Sequence, residues 1–250
     1  MVNDKPKIIA IIQARMGSTR LPGKVLKEVY GQPMLAHLVN RVRQAKTLDE
    51  VIVATTCQPD DDVIARLCKK HGWECYRGSA DDVLDRYYQA SLLFNGDIIV
   101  RLSADNPLID PRIIDKVVRA HLDSGADYTY NSVEGHFPIG LDTEVFSFKN
   151  LEKTFKESKQ VYEHEHVTPY IYQHPELFRI QSIEATGKLR RPDLRLTVDT
   201  NEDLKLVQEI FKMLYKDGEM FYTEDVVDLL DKHTDLASIN AQIRQKKLGE

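Results

Sequence analysis

A chain of 250 residues that is 42% hydrophobic and 29% charged can bury a sizeable core, and one large α/β domain over 1–250 is the expectation. A net charge of −5 argues against a general nucleic-acid binder, and no run approaches the roughly 18 apolar residues of a membrane span. Cys57, Cys68 and Cys75 lack a Cys-x-x-Cys pair, which suggests neither a zinc site nor a disulfide framework, and the N-terminus carries no signal-peptide pattern; a cytoplasmic protein is expected.

The first apolar run, 7–12, reads as a short buried strand. It empties into a loop that carries Arg15, Arg20 and Lys24 with Gly17, Gly23, Ser18 and Thr19. Glycine lets backbone N–H groups approach an anion, arginine offers forked donors and lysine a point charge. The loop fits neither Gly-x-Gly-x-x-Gly nor Gly-x-x-x-x-Gly-Lys-Ser/Thr. From composition alone it is an anion loop at a strand end or a solvated basic turn.

Further strands are expected at 51–55, 74–76 and 97–102, with amphipathic helices at 33–45, 60–71 and 82–94 between them. Asp81 is a candidate cap for the third helix, and Asp60-Asp61-Asp62 read as a helix N-terminus. Alternation at this spacing implies a mostly parallel sheet with helices on both faces, binding its ligand outside the carboxyl ends of the strands. The middle is less regular: strands at 127–131 and 143–148 flank a loop with Gly135, Pro138 and Gly140, and a helix at 163–173 must break or restart near Thr168 because of Pro169. A final strand is expected at 194–198, then helices at 202–215 and 223–232 and an exposed helical tail at 238–248 ending in Lys246-Lys247. His71, His121 and His174 have no partner pattern and read as surface residues.

The segment Gln13-Ala14-Arg15-Met16-Gly17-Ser18-Thr19-Arg20-Leu21-Pro22-Gly23-Lys24 resembles the signature of the CTP-dependent cytidylyltransferases that make CMP-activated sugar acids. It is most like the spore-coat polysaccharide protein F branch, with CMP-Kdo and CMP-nonulosonate synthetases as cousins. The resemblance implies a nucleotide-diphospho-sugar transferase-like α/β fold with a smaller insert at 127–183 for acceptor binding and dimerisation. It implies CMP transfer from CTP to a small acidic acceptor, a sugar acid, with release of pyrophosphate and Mg²⁺ as cofactor. It gives nucleotide contacts to Ala14, Arg15, Gly17, Ser18, Arg20, Lys24, Arg77 and Ser79, with catalytic roles for Lys24 and Arg15. No nucleic acid or membrane partner is expected, and a homodimer is.

Nucleotidyl transfer also needs carboxylates for Mg²⁺ at neighbouring strand ends. Ser103-Ala104-Asp105-Asn106-Pro107 resembles the family's Gly-Asp-x-Pro metal turn, with Ala104 where Gly is usual, and Val198-Asp199-Thr200-Asn201-Glu202-Asp203 resembles its second carboxylate segment. Asp105 and Asp199 are therefore the metal candidates; from composition Asp105 also reads as an Asx-turn or helix N-cap before Pro107, and 199–203 as a helix start capped by Thr200 or Asn201 with Glu202 and Asp203 in its first turn. Asp110 before Pro111 reads as a cap. Asp142, Glu144 and His166 are the acceptor-side candidates, on the resemblance of 138–146 and 163–171 to the family. Glu163-His164-Glu165-His166 is not a metal motif on a helix, because residues two apart point about 200° from each other. Two other functions remain open at this point: a metal-dependent glycosyltransferase using a nucleotide-sugar, and a nucleotide-binding protein without turnover.

Overall fold

The structure, a computed structural model, describes residues 5–132 and 136–245. Gly135 and the Lys246-Lys247 end of the expected tail helix lie outside them.

The all-apolar run at the start forms β1 (Ile8–Gln13), with all but Gln13 buried, as expected of a strand covered on both faces. It pairs in parallel with β4 (Glu50–Thr56) on one side and β6 (Ile98–Ser103) on the other, and β4 pairs with β5 (Glu74–Gly78). Between lie a two-residue hairpin, β2 (Glu28–Val29) and β3 (Gln32–Pro33), and the helices α1 (Met34–Val42), α2 (Asp62–His71) and α3 (Val83–Leu93). Pro33 is the residue before α1, not its first helical residue.

The region 127–183 does not stand apart as a lobe. After α4 (Pro111–Ser124), its strands β7 (Tyr128–Tyr130), β8 (Glu144–Ser147) and β9 (Ile180–Ser182) continue the same sheet, in the order β5-β4-β1-β6-β8-β7-β9. β8 runs antiparallel to β6 and to β7, so the expected mostly parallel sheet ends in a mixed edge. The helices α5 (Phe148–Glu157), α6 (Val161–His166) and α7 (Pro169–Gln173) belong to this region. The stretch expected at 163–173 does break where Pro169 requires it: α6 ends before Val167, whose φ is 72°, and α7 restarts after Thr168.

Alternation along the strands separates two cores. Ile8, Ala10 and Ile12 pack with α1 and α4, whereas Ile9 and Ile11 pack with Val83, Leu84 and Tyr87 of α3. A third cluster joins Leu21, Val29 and Met34 to the C-terminal helices α8 (Asn201–Leu214) and α9 (Thr223–Lys232), which α10 (Thr234–Ala237) follows.

Four expectations need correction. Residues 194–198 are buried but form no sheet strand: their one bridge among the described residues is Arg195 to Ile139, because this segment crosses the carboxyl ends of the strands instead of joining them. The cap of α3 is Asp82, whose carboxylate accepts from the Asp85 N–H, and not Asp81. His121 is buried, its Nδ1 3.0 Å from the Thr129 hydroxyl, and burial holds its pKa down at about 4. The tail at 238–245 is turns and coil, with no helix.

Candidate active site

Three segments meet at the carboxyl ends of β1 and β6. The first is the loop after β1. Its backbone is fixed by Ala14 N–H donating to Ala54, by Ser18 and Gly23 N–H donating to Met16 O, and by the Met16 N–H, which donates to Asp61 Oδ1 at 2.7 Å. Asp61 also accepts from the Thr56 hydroxyl and is 3% exposed, so it is an anchor of the loop and more than the helix-end charge its sequence suggested. Gly23 has φ 68°, a left-handed conformation that starts the short turn Lys24–Leu26 and aims Lys24 back across the strand ends. Gly17 differs: a Cβ there would meet nothing within 4 Å, so the loop itself places no steric demand for glycine at that position.

The second segment is the turn after β6. Ala104 N–H donates to Gln13 O, and Asp105 O accepts from Val198 N–H at 2.8 Å and from the Thr197 hydroxyl. These bonds tie the turn to the third segment, 195–199. Gly140 makes that crossing close: its φ is 104°, and a Cβ there would lie 2.4 Å from Thr197 N.

Lys24 joins all three. Its Nζ donates to Asp105 Oδ2 and to Asp199 Oδ1, each at 2.8 Å. Burial lowers its pKa, but the two carboxylates outweigh that and hold it above the usual lysine value. Asp199 also takes Arg20 at 3.0 Å and Arg195 at 2.7 Å on Oδ2. Burial raises its pKa; Lys24, Arg20 and Arg195 overcome this and keep it below the ordinary aspartate value. Asp199 caps nothing. Thr200 caps α8, with Asp203 closing the box. Asp203 is fully buried and receives the Asp199 and Thr200 N–H groups, Arg195 Nε and Asn240 Nδ2. Asp105 likewise accepts from Lys24 and not from a backbone N–H, while Asp110 caps α4 as expected.

Ala14, Arg15, Gly17, Ser18, Arg20 and Lys24 thus line one cleft of about 250 Å³ together with Asp105 and Asp199. Oxygen-only ligands, two carboxylates already sharing one cation, suit Mg²⁺, which takes one or two carboxylates and completes its shell from phosphate and water. Among the described residues no cluster of three or more metal-ligating side chains exists, so such a shell needs the substrate's oxygens.

Arg77 and Ser79 lie off this cleft. Arg77 is spent on the Thr56 and Gln58 carbonyls and on Asp62, and Ser79 Oγ accepts the Asp82 N–H at 3.1 Å. The acceptor-side candidates do come together. Glu144 accepts from Arg101 at 2.9 Å and from the Thr168 hydroxyl at 3.0 Å. Burial, then the charges of Glu144 and Asp105, push the Asp142 pKa up to about 6. His166 is pulled below the usual imidazole value by burial and by Arg101, against the pull of Glu165 and Glu144. His164 points elsewhere, to Asp82 at 2.8 Å. Arg101, Arg195 and Asp203 were not singled out from sequence; a charge inside the apolar run 98–102 was the available signal for Arg101.

The family profile described as cytidylyltransferase matches residues 9–238. The chain belongs to the cytidylyltransferase family. It is a CTP-dependent nucleotidyltransferase. It is 43% identical over 244 residues to an uncharacterised protein of Methanocaldococcus jannaschii, covering 98% of each chain. It is 38% identical over 236 residues to the spore coat polysaccharide biosynthesis protein SpsF of Bacillus subtilis, covering 92% of this chain and 97% of that one. The solved structure of a cytidylyltransferase from Leptospira borgpetersenii superposes with a TM-score of 0.88 at 32% identity, over 97% of this chain and all of that one. Among the described residues no helix is long and apolar enough to cross a membrane.

Proposed function

We propose that this cytidylyltransferase moves CMP from CTP to a sugar acid, with release of pyrophosphate, for surface polysaccharide or glycan synthesis. The observation that carries the reading is the Lys24 ammonium shared by Asp105 and Asp199 at the mouth of a cationic loop. A triphosphate needs its charge offset while an oxygen attacks the α-phosphate, and a fixed array of cations does this without reorganising. Arg15, Arg20 and the Ser18 hydroxyl grip the phosphates, while Lys24 turns from the carboxylates to the reacting phosphate. Asp105 and Asp199 hold Mg²⁺, which supplies charge neutralisation and orientation of the triphosphate when bound. Asp142, Glu144 and His166 receive the acceptor, next to Asp105, so its nucleophilic oxygen faces the α-phosphate. A hydrogen-bonding acidic wall of this kind orients hydroxyl groups, as a sugar offers.

The assignment to surface glycans draws on SpsF, whose name places that protein in spore coat polysaccharide biosynthesis. The same reading takes the chain as a homodimer through 127–183, where Val161, Tyr172 and Leu177 present apolar side chains to solvent.

The deciding experiment incubates the protein with CTP, Mg²⁺ and a panel of sugar acids and follows pyrophosphate. Release that needs both CTP and one acceptor supports the reading. A nucleotide-sugar consumed without pyrophosphate would instead mark a glycosyltransferase, and CTP binding without product from any acceptor would mark a binding protein.

A further inference from the structure

Among the buried polar atoms without a hydrogen-bond partner in the described residues are Arg86 Nε and Gln13 Oε1, both on the α3 side of the sheet; Arg101 Nε, on the same side, differs in belonging to a guanidinium that pairs with Glu144 through Nη1. Arg86 is 2% exposed. Its charged surroundings are Asp61, Asp82 and the like-charged Arg15, and none of them forms an ion pair with it. Burial holds its pKa below the usual arginine value. A guanidinium taken out of water without a partner costs free energy in the fold, and such a group is kept where a ligand completes it.

The sheet register shows where the two groups stand. Gln13, Ala54 and Tyr76 form one row across β1, β4 and β5, so their side chains share a face. That is the α3 face, because Ala54 and Tyr76 pack with Val83, Leu84 and Tyr87. Arg86 comes down onto the same face from α3. A Cβ at Gly78 would lie 2.7 Å from the Tyr76 ring and 3.3 Å from Arg86 Cγ, so β5 is pressed directly against both. The small Ala54 separates Gln13 from this group. Gln13 and Arg15 also line the phosphate cleft, which makes the two regions contiguous.

A ligand that satisfies both must offer acceptors to a forked donor and a donor to an amide oxygen, and must lead into a phosphate site. The edge of cytosine has this pattern: N3 and O2 accept side by side and the exocyclic amine donates. Uracil has N–H at position 3 and an oxygen at position 4, and opposes both groups. We propose that Arg86 is the specificity-determining residue for the base, donating to N3 and O2 of cytosine while Gln13 Oε1 accepts from its amine. This rests on the cytidylyl-transfer reading.

The test titrates the protein with CTP, UTP and inorganic tripolyphosphate, in wild type and in Arg86→Met, with the melting temperature of each free protein. Wild type is expected to bind CTP at least about tenfold tighter than UTP, as a site built for hydrogen bonds rejects the analogue lacking them. Arg86→Met should bring the two within about threefold, bind tripolyphosphate as wild type does, and melt no lower, since it removes an unpartnered charge. Arg86→Gln provides the same comparison if the Met variant does not fold. A variant that keeps the CTP preference overturns the proposal, as does one that loses tripolyphosphate equally, which would make Arg86 a phosphate ligand. Equal binding of CTP and UTP by wild type would count against the cytidylyl reading itself, a result distinguishable from any outcome in the variants.

Discussion

Lys24 and Asp199 stand 175 positions apart in the chain and 2.8 Å apart in the fold, and the same ammonium reaches Asp105 at the same distance. Two carboxylates from different segments thus share one internal cation. A lysine so placed neutralises the site before substrate arrives and is at hand for the triphosphate. Lys24→Met keeps the length and removes the charge. It is expected to lower kcat about 10²–10³-fold while weakening CTP binding less. Steady-state kinetics beside a CTP titration give the two numbers, and a variant within about threefold of wild-type kcat would remove Lys24 from the reaction.

Asp105 and Asp199 should respond differently to the same change. Asp105 bonds Lys24 and holds no backbone N–H, so Asp105→Asn is expected to abolish turnover with a nearly unchanged melting temperature. Asp199 is bound by Lys24, Arg20 and Arg195, the last of them buried, so Asp199→Asn should lose turnover and also about 1–3 kcal/mol of stability. Activity at saturating Mg²⁺ together with denaturant midpoints separates the two. An Asp105→Asn enzyme that turns over normally would show that its carboxylate is no metal ligand.

Asp142 titrates at about 6 in the fold, above its usual 3.8, because burial and the nearby Glu144 and Asp105 disfavour its charge. A raised carboxyl stabilises the fold fully below the unfolded pKa, and that contribution is lost as pH rises through about 6. Asp142→Asn should therefore melt higher than wild type at pH 7–8, by the equivalent of about 1–3 kcal/mol, and match it below about pH 4. Melting curves across that range check it. A difference independent of pH would locate the effect in packing instead.

Gly140 is where the loop before β8 presses onto the 195–198 segment, with φ at 104° and Thr197 N in the space a Cβ needs. Backbone cannot step aside as a flexible side chain does. Gly140→Ala is expected to cost at least about 2 kcal/mol, a fall in Tm of roughly 4–8 °C. It should also impair turnover, because the displaced segment carries Asp199. Gly17→Ala is the control, with open space around its Cβ and a predicted stability within about 0.5 kcal/mol of wild type.

Local chemistry made much of this protein legible from its sequence. Apolar runs of strand length alternating with amphipathic stretches imply a parallel sheet, and β1, β4, β5 and β6 lie where they were expected, since strand burial and helix periodicity are properties of neighbours along the chain. The Gln13–Lys24 segment announced its family because its unusual charges and glycines are contiguous. Residues far apart in the chain had no such signature. Asp61 and Asp203 read as helix-end charges and Arg195 carried no signal of its own, and only packing turned them into buried anchors for Met16 and Asp199. The segment 194–198 has the composition of a strand, yet the fold lays it across the strand ends, where its bridge is to Ile139 in the loop before β8. Arg86 shows the limit most plainly. Its place on an amphipathic helix is written in the sequence, but that its side chain is buried with Nε unpartnered depends on β5, whose Gly78 and Tyr76 crowd against it. Burial and unmet hydrogen bonds are sums over everything within a few ångströms, and the tertiary fold alone decides what that includes.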